Sequence, residues 1–241
     1  MLGLPAQITV ALFDLDGVLT TTATLHMGAW RDAFDGFLTA RGEAGSRPGE
    51  NLEPFSDQDY LDHVDGRPRL DGVRAFLASR NIAADDATVE KIADSKNAQF
   101  VATLERDGVT PYPGSVRYLE AAREAGLRIA VVTSSKNGAA VLEAAGLSPF
   151  IEHRVDGNTI VTENLRGKPA PDSYLRGAEL MGVGPEHAAV FEDAISGVQA
   201  GAAGQFGYVV GIDRVGGRQA EAMTEAGASV VVTDLDVLLS A

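Results

Sequence analysis

The sequence predicts an α/β protein: a doubly wound parallel sheet with a helical domain inserted after the first strand. Three observations lead there. Five short runs are rich in Val, Ile and Ala with little polar alternation: residues 8–13, 128–133, 188–191, 208–212 and 229–232. That is the pattern of parallel strands covered on both faces. The stretches between the last four carry helical spacing, as a βαβ succession requires. From about Thr21 to Thr110 no strand pattern occurs, and apolar stripes at helical spacing take its place.

The first run ends in TVALFDLDGVLT, residues 9–20, with Asp14 and Asp16 one leucine apart. Two carboxylates closing a buried strand are costly unless they reach solvent or share a cation. Next come Trp30, Ala33, Phe34, Phe37 and Leu38 at i, i+3, i+4, i+7, i+8, one helical face. Val73, Phe76 and Leu77 make a second face, and Val89, Ile92, Phe100 and Leu104 a third, longer one. The polar, Gly-rich residues 36–54 read as an exposed loop. TPYPG, residues 110–114, reads as the hinge where the chain returns. The expected division is therefore 1–20 with 111–241 as the core domain, and 21–110 as the helical domain. Within the core, Val116, Leu119 and Ala122 space as a helical face before Gly126. Ala140, Val141 and Ala144 do the same before Gly146.

Composition narrows the classes of function. The 241 residues carry a net charge of −14, which argues against a nucleic-acid backbone or an anionic membrane as the main partner. A small anionic ligand remains compatible, because a metal or a few cations invert the field locally. The absence of cysteine removes disulfides, thiolate chemistry and Cys-based zinc sites. The N-terminal segment lacks the features of a secretory signal, and no apolar stretch reaches membrane-spanning length. The expectation is a cytoplasmic monomer acting on a small molecule.

In an open α/β sheet, ligands sit beyond the carboxyl ends of the strands. Four such positions carry reactive groups here: Asp14 and Asp16; Thr133, Ser134 and Lys136 in VVTSSKN; Lys168 in RGKPAPD; and Glu192 and Asp193 in VFEDAISG. Each is ordinary alone. An Asp-x-Asp pair is commonly a solvated turn, Thr133 a helix cap, Lys168 a surface residue, and Glu192–Asp193 helix-terminal acids. Together, carboxylates, a hydroxyl and a lysine at one sheet edge make a Mg²⁺ and phosphate constellation. Mg²⁺ takes hard oxygen ligands, and lysine places a charge on the phosphoryl group.

DLDGVLT, VVTSSKN, GKPAPD and FEDAISG resemble the four motifs of the haloacid dehalogenase (HAD) superfamily, over essentially the whole chain. The resemblance implies a HAD-like Rossmannoid core with a helical cap domain inserted after the first strand. It implies that Asp14 is the nucleophile that becomes an aspartyl-phosphate and that Asp16 is the general acid/base. Mg²⁺ would be held by Asp14, the backbone carbonyl of Asp16, and Asp193, with Glu192 close by. Thr133 and Lys168 would hold the transferring phosphoryl group.

The insert narrows the resemblance to the β-phosphoglucomutase-like subfamily. TTATLHMGAW (21–30) resembles its cap entrance, with His26 and Trp30. SKNAQF (95–100) resembles the helix bearing a substrate-facing Lys96 and Asn97, and SSKNG supplies Lys136 and Asn137. VDGRPRLDGV (64–73) resembles the substrate-specificity loop, with Gly66 and Arg69 as its glycine and phosphate-binding arginine. Asp65 and Pro68 depart from the lysine and serine usual there, and Arg67 is an added cation. The departures bear on the choice of sugar, not on the phosphoryl chemistry.

Three functions compete. A mutase would exchange phosphate between carbons 1 and 6 of a hexose through a bisphosphate, with Arg69 on the distal phosphate and water excluded. A sugar-phosphate phosphatase shares the nucleophile but needs no second phosphate site. A phospho-acceptor signalling module also presents Asp, Thr and Lys at a sheet edge, yet needs neither Asp16 nor the helical insert. The first reading accounts for the most residues.

Overall fold

The structure is a computed structural model describing residues 2–240. Six parallel strands form one sheet in the order β3-β2-β1-β4-β5-β6. They are β1 Val10–Phe13, β2 Arg128–Val132, β3 His153–Val155, β4 Ala188–Glu192, β5 Tyr208–Ile212 and β6 Val230–Val232. The order reverses at β1, which pairs with β2 on one side and β4 on the other. That is the switch point where an α/β sheet opens a crevice.

Side chains of alternate strand residues face opposite helical layers. Val10, Leu12, Val132 and Val190 pack with α8 (Asp172–Leu180), α9 (Ile195–Ala203) and α10 (Gln219–Glu225) through Tyr174, Ala178, Val198 and Met223. On the other face, Phe13 stacks on Phe191 at 4.3 Å and meets Tyr118 of α5 (Pro113–Glu124) edge-on. Both faces are dry, so the strands carry no polar alternation. The two remaining helices of this unit, α6 (Gly138–Ala144) and α7 (Gly157–Thr162), lie in the connections on either side of β3.

Residues Thr22–Gly108 form a separate compact unit. It holds α1 (Thr22–Glu43), the single turn α2 (Asp57–Asp59) running into a π-helical turn at Tyr60–Val64, α3 (Arg69–Ser79) and α4 (Asp86–Asp107). Its core is aromatic: Phe34 lies 5.0 Å from Trp30, 4.1 Å from Phe76 and 5.0 Å from Phe55. The outgoing and returning chains run side by side beyond the carboxyl end of β1. Thr20 bridges Pro111, and the Tyr112 N–H donates to Leu19 O. No helix among the described residues is long and apolar enough to cross a membrane.

Four details differ from the sequence reading. A sixth strand, β3, is present at the sheet edge; His153 and Arg154 are exposed, so it has no apolar run to betray it. The first strand starts at Val10, because the Ile8 N–H is spent on Pro5 O. Residues 36–43, read as loop, continue α1, because buried Leu38 extends the Trp30–Phe34 stripe. Arg41 then binds Glu50 with two hydrogen bonds (3.1 and 2.5 Å), folding the true loop back. Finally, α6 buries Gly138, Val141 and Leu142, whereas Ala140 and Ala144 are exposed: the stripe is shifted by about one residue.

Candidate active site

Strand register assembles the site. Phe13 pairs with Val131 and Phe191, so Asp14 emerges beside Val132 and Glu192. Its N–H donates to Phe191 O (2.9 Å). Lys168 enters from the link between α7 and α8, just before a cis peptide to Pro169. Its Nζ donates to Asp14 Oδ1 (2.6 Å), Glu192 Oε1 (2.5 Å) and Val132 O (3.2 Å). Lys168 is 2% exposed, Asp14 6% and Glu192 0%. A buried ammonium needs such a set of acceptors. Burial works against the Lys168 charge, but the Asp14 and Glu192 carboxylates outweigh it and raise its pKa. Burial first, then the charges of Glu192 and Asp16, push the Asp14 carboxyl well above the usual range, against the pull of Lys168.

Asp193 follows Glu192, and oxygens of Asp14, Glu192 and Asp193 lie within 4.8 Å of one another. The backbone is shaped around these acids. A Cβ at Gly17 (φ +87°) would fall 1.7 Å from Asp193 Oδ2, and one at Gly197 would fall 1.7 Å from Glu192 Oε1. Three converging carboxylates beside one ammonium are a hard-oxygen donor set that fits a divalent cation such as Mg²⁺. The Asp16 carboxylate lies outside this trio and accepts a long hydrogen bond (3.4 Å) from Thr133 Oγ1. Thr133 itself is 1% exposed, its N–H bonded to Val155 O. Beyond it, the Ser135 N–H donates to Thr133 Oγ1 and the Asn137 N–H to Ser135 Oγ, curling residues 133–137 into a compact turn. Ser134 and Asn137 are half-buried in that turn, and Lys136 is exposed.

Residues 8–205 match the haloacid dehalogenase-like hydrolase family. The chain belongs to that family. It is 51% identical over 250 aligned positions to the Beta-phosphoglucomutase of Mycobacterium tuberculosis (strain CDC 1551 / Oshkosh), covering 99% of this chain and 94% of that protein. It is 32% identical over 194 positions to Hexitol phosphatase A of Escherichia coli (strain K12), covering 80% and 77%. Among solved structures, the beta-phosphoglucomutase of Clostridium difficile superposes with a TM-score of 0.75 at 23% identity. That match covers 96% of this chain and 93% of that one, and it speaks for the fold. The chain is thus a HAD enzyme of the β-phosphoglucomutase-like group.

In this HAD chain the remaining sequence-predicted residues lie in the helical unit. Lys96 on α4 is 5% exposed. Its ammonium contacts His26 Nδ1 and sits over the rings of Trp30 (5.1 Å) and Phe100 (4.9 Å). His26 stacks on Phe100 at 4.0 Å. So α1 and α4 bring His26, Trp30 and Lys96 together, with half-buried Asn97 next in sequence. Gly66 takes φ +72° in the turn that leads to α3, and Arg69 is the first residue of that helix rather than part of a loop. Burial lowers the Arg69 pKa against the opposing charge of Asp94.

Two residues of this candidate site escaped the sequence reading. Tyr174 on α8 is fully buried, and its hydroxyl donates to Glu192 Oε1 (2.9 Å) while Lys168 Nζ lies 4.8 Å over its ring. Burial pushes that phenol far above its usual pKa, so it remains a donor. Ser135 organises the 133–137 turn. Tyr174 follows Lys168 across a Pro-rich link with no periodicity joining the two, so the sequence carries no signal for it.

Proposed function

We propose that this enzyme moves the phosphoryl group of a sugar phosphate through an aspartyl-phosphate on Asp14, as a Mg²⁺-dependent β-phosphoglucomutase converting β-glucose 1-phosphate to glucose 6-phosphate. The observation that carries the reading is the Asp14 carboxylate held against Lys168 at the sheet switch point, with Glu192 and Asp193 within ligand distance. The name of the mycobacterial relative, 51% identical over nearly the full chain, supports the substrate class.

In this mechanism Asp14 attacks the C1 phosphorus of the hexose 1,6-bisphosphate and the bond to the sugar O1 breaks, leaving glucose 6-phosphate. Asp16 gives that oxygen its proton. Asp16 then takes the proton of the 6-hydroxyl of the next β-glucose 1-phosphate, which attacks the aspartyl-phosphate, frees Asp14 and regenerates the bisphosphate. Lys168 and Thr133 grip the equatorial oxygens, with Ser134, Lys136 and Asn137 beside them. Asp14, the Asp16 carbonyl and Asp193, with Glu192 close by, would hold Mg²⁺, which neutralises charge on the transferring group. His26, Trp30, Gly66, Arg69, Lys96 and Asn97 are assigned to the rest of the substrate, Arg69 to the second phosphate. The enzyme acts as a cytoplasmic monomer on a small molecule.

A sugar-phosphate phosphatase is the second reading. It is favoured by the hexitol phosphatase relative and by Asp65 and Pro68 in the specificity loop. Phosphorus NMR of β-glucose 1-phosphate with enzyme and Mg²⁺, primed with glucose 1,6-bisphosphate, separates the two. Glucose 6-phosphate is the expected product. Inorganic phosphate would transfer the assignment to the phosphatase, and no turnover would remove this substrate.

A further inference from the structure

The loop after β5, which runs from residue 213 into the start of α10 at Gln219, has no role in the chemistry above, yet it reaches two of the active-site segments. Arg214 is its centre. Its side chain is 15% exposed, and its guanidinium carbon lies over the Tyr112 ring, 3.8 Å from the centroid. Nε donates to Gly17 O (3.0 Å) and Nη2 makes a longer bond to Val18 O (3.4 Å). On the far side, Nη1 donates to Thr233 O (3.0 Å) and pairs with Asp234 Oδ2 (3.3 Å). Where the loop enters α10, Gln219 Nε2 donates to Asp193 O (3.3 Å).

The geometry points to Arg214 as a positioning residue for Asp16. Asp16 is followed directly by Gly17, whose left-handed backbone faces the Asp193 carboxylate so closely that a Cβ there would fall 1.7 Å from Asp193 Oδ2. The Gly17 carbonyl accepts from Arg214, and the Val18 carbonyl is shared between Arg214 and Ser115 Oγ (2.7 Å). A planar guanidinium with donors in a rigid fork fixes two successive carbonyls in a way a point-charge ammonium does not. The Asp234 carboxylate and the Tyr112 ring immobilise the fork in turn. The turn bearing the general acid is thereby clamped between Asp193 and Arg214. A displacement of about 1 Å in a catalytic group costs on the order of a hundredfold in rate. The inference rests on the assignment of Asp16 as the acid that protonates the leaving oxygen.

That dependence supplies the test. A good leaving group needs little help from an acid, and a poor one needs much. We therefore expect Arg214→Ala to lower kcat/KM for phenyl phosphate about tenfold more than for p-nitrophenyl phosphate, both with Mg²⁺, and Arg214→Lys to show the same selectivity more weakly. The lysine variant keeps a cation opposite Asp234 and serves should the alanine variant fail to fold. A general weakening of the fold would reduce both substrates by one factor, and equal losses or none would overturn the inference. Asp16→Asn is run beside them. If it is selective and the Arg214 variants are not, the acid assignment stands and the inference alone falls. If Asp16→Asn itself loses both substrates equally, the acid assignment fails and the inference goes with it.

Discussion

Glu192 is the residue on which the buried charges balance. Its Oε1 accepts from both Lys168 and Tyr174, and its Oε2 accepts from the Ala194 N–H (3.1 Å). With 0% exposure it has no water to fall back on, so each donor offsets part of the cost of burying a charge. Tyr174 is the donor that can be removed cleanly. Tyr174→Phe keeps the ring that packs edge-on against Phe206 at 6.0 Å and the face under Lys168, and deletes the hydroxyl alone. The expected loss is about 1.5–3 kcal/mol in urea unfolding, the worth of a hydrogen bond to a charged group. Turnover should fall with it, because Glu192 sets where Lys168 stands. Unchanged stability would mean that the hydroxyl bond contributes nothing to holding Glu192.

At the scale of elements, the helical unit depends on how its loop re-enters the helices. Ser56 caps α2 by a reciprocal capping box, its side chain accepting from the Asp59 N–H while Asp59 accepts from the Ser56 N–H. Asp59 Oδ2 also receives Arg80 Nη2 at 2.7 Å, at the far end of α3. Partial burial opposes the Asp59 charge, but the Ser56 hydroxyl and amide and the Arg80 guanidinium outweigh it and hold the carboxyl below its usual range. A depressed carboxylate contributes stability that is present above the unfolded-state pKa of about 3.9 and is lost as pH falls through the folded value. Asp59→Asn should therefore cost about 2 kcal/mol at pH 7. The gap between variant and parent should close as thermal melts are taken down towards pH 3. A gap independent of pH would show that the charge of Asp59 is not what matters. None of this network was legible in the sequence, because it joins residues 56, 59 and 80 across a loop with no period. Apolar runs were legible where both faces are dry, as in β1, β2, β4 and β5, and not in β3, whose side chains are half in water. The four motif segments could be placed at one edge because parallel strands all end there. Tyr174 and Arg214 could not, since each earns its place only through strand register and the folding back of a distant loop.

For the molecule as a whole, the dominant electrostatic fact is a surplus of acid, −14 over 241 residues, part of it concentrated where Asp14, Glu192 and Asp193 converge. A ligand that binds the folded state alone stabilises it by mass action. A divalent cation at those carboxylates relieves their mutual repulsion and disappears as a site on unfolding. At a hundredfold over its dissociation constant, Mg²⁺ should add about 2.7 kcal/mol, or about 5–10 °C in Tm for a chain of this size. General screening of the net charge would also raise Tm, so the comparison is made against NaCl at matched ionic strength. Asp193→Asn separates the two effects, because it removes one ligand oxygen and leaves the rest of the surface charge in place. Scanning calorimetry should show a Mg²⁺-specific rise for the parent, its reversal by EDTA, and its loss in the variant. The carboxylate trio lies in the sheet unit, so if the melt resolves two transitions, only that unit's should move. A rise that survives Asp193→Asn would place the bound cation elsewhere on the acidic surface and detach it from the phosphoryl chemistry.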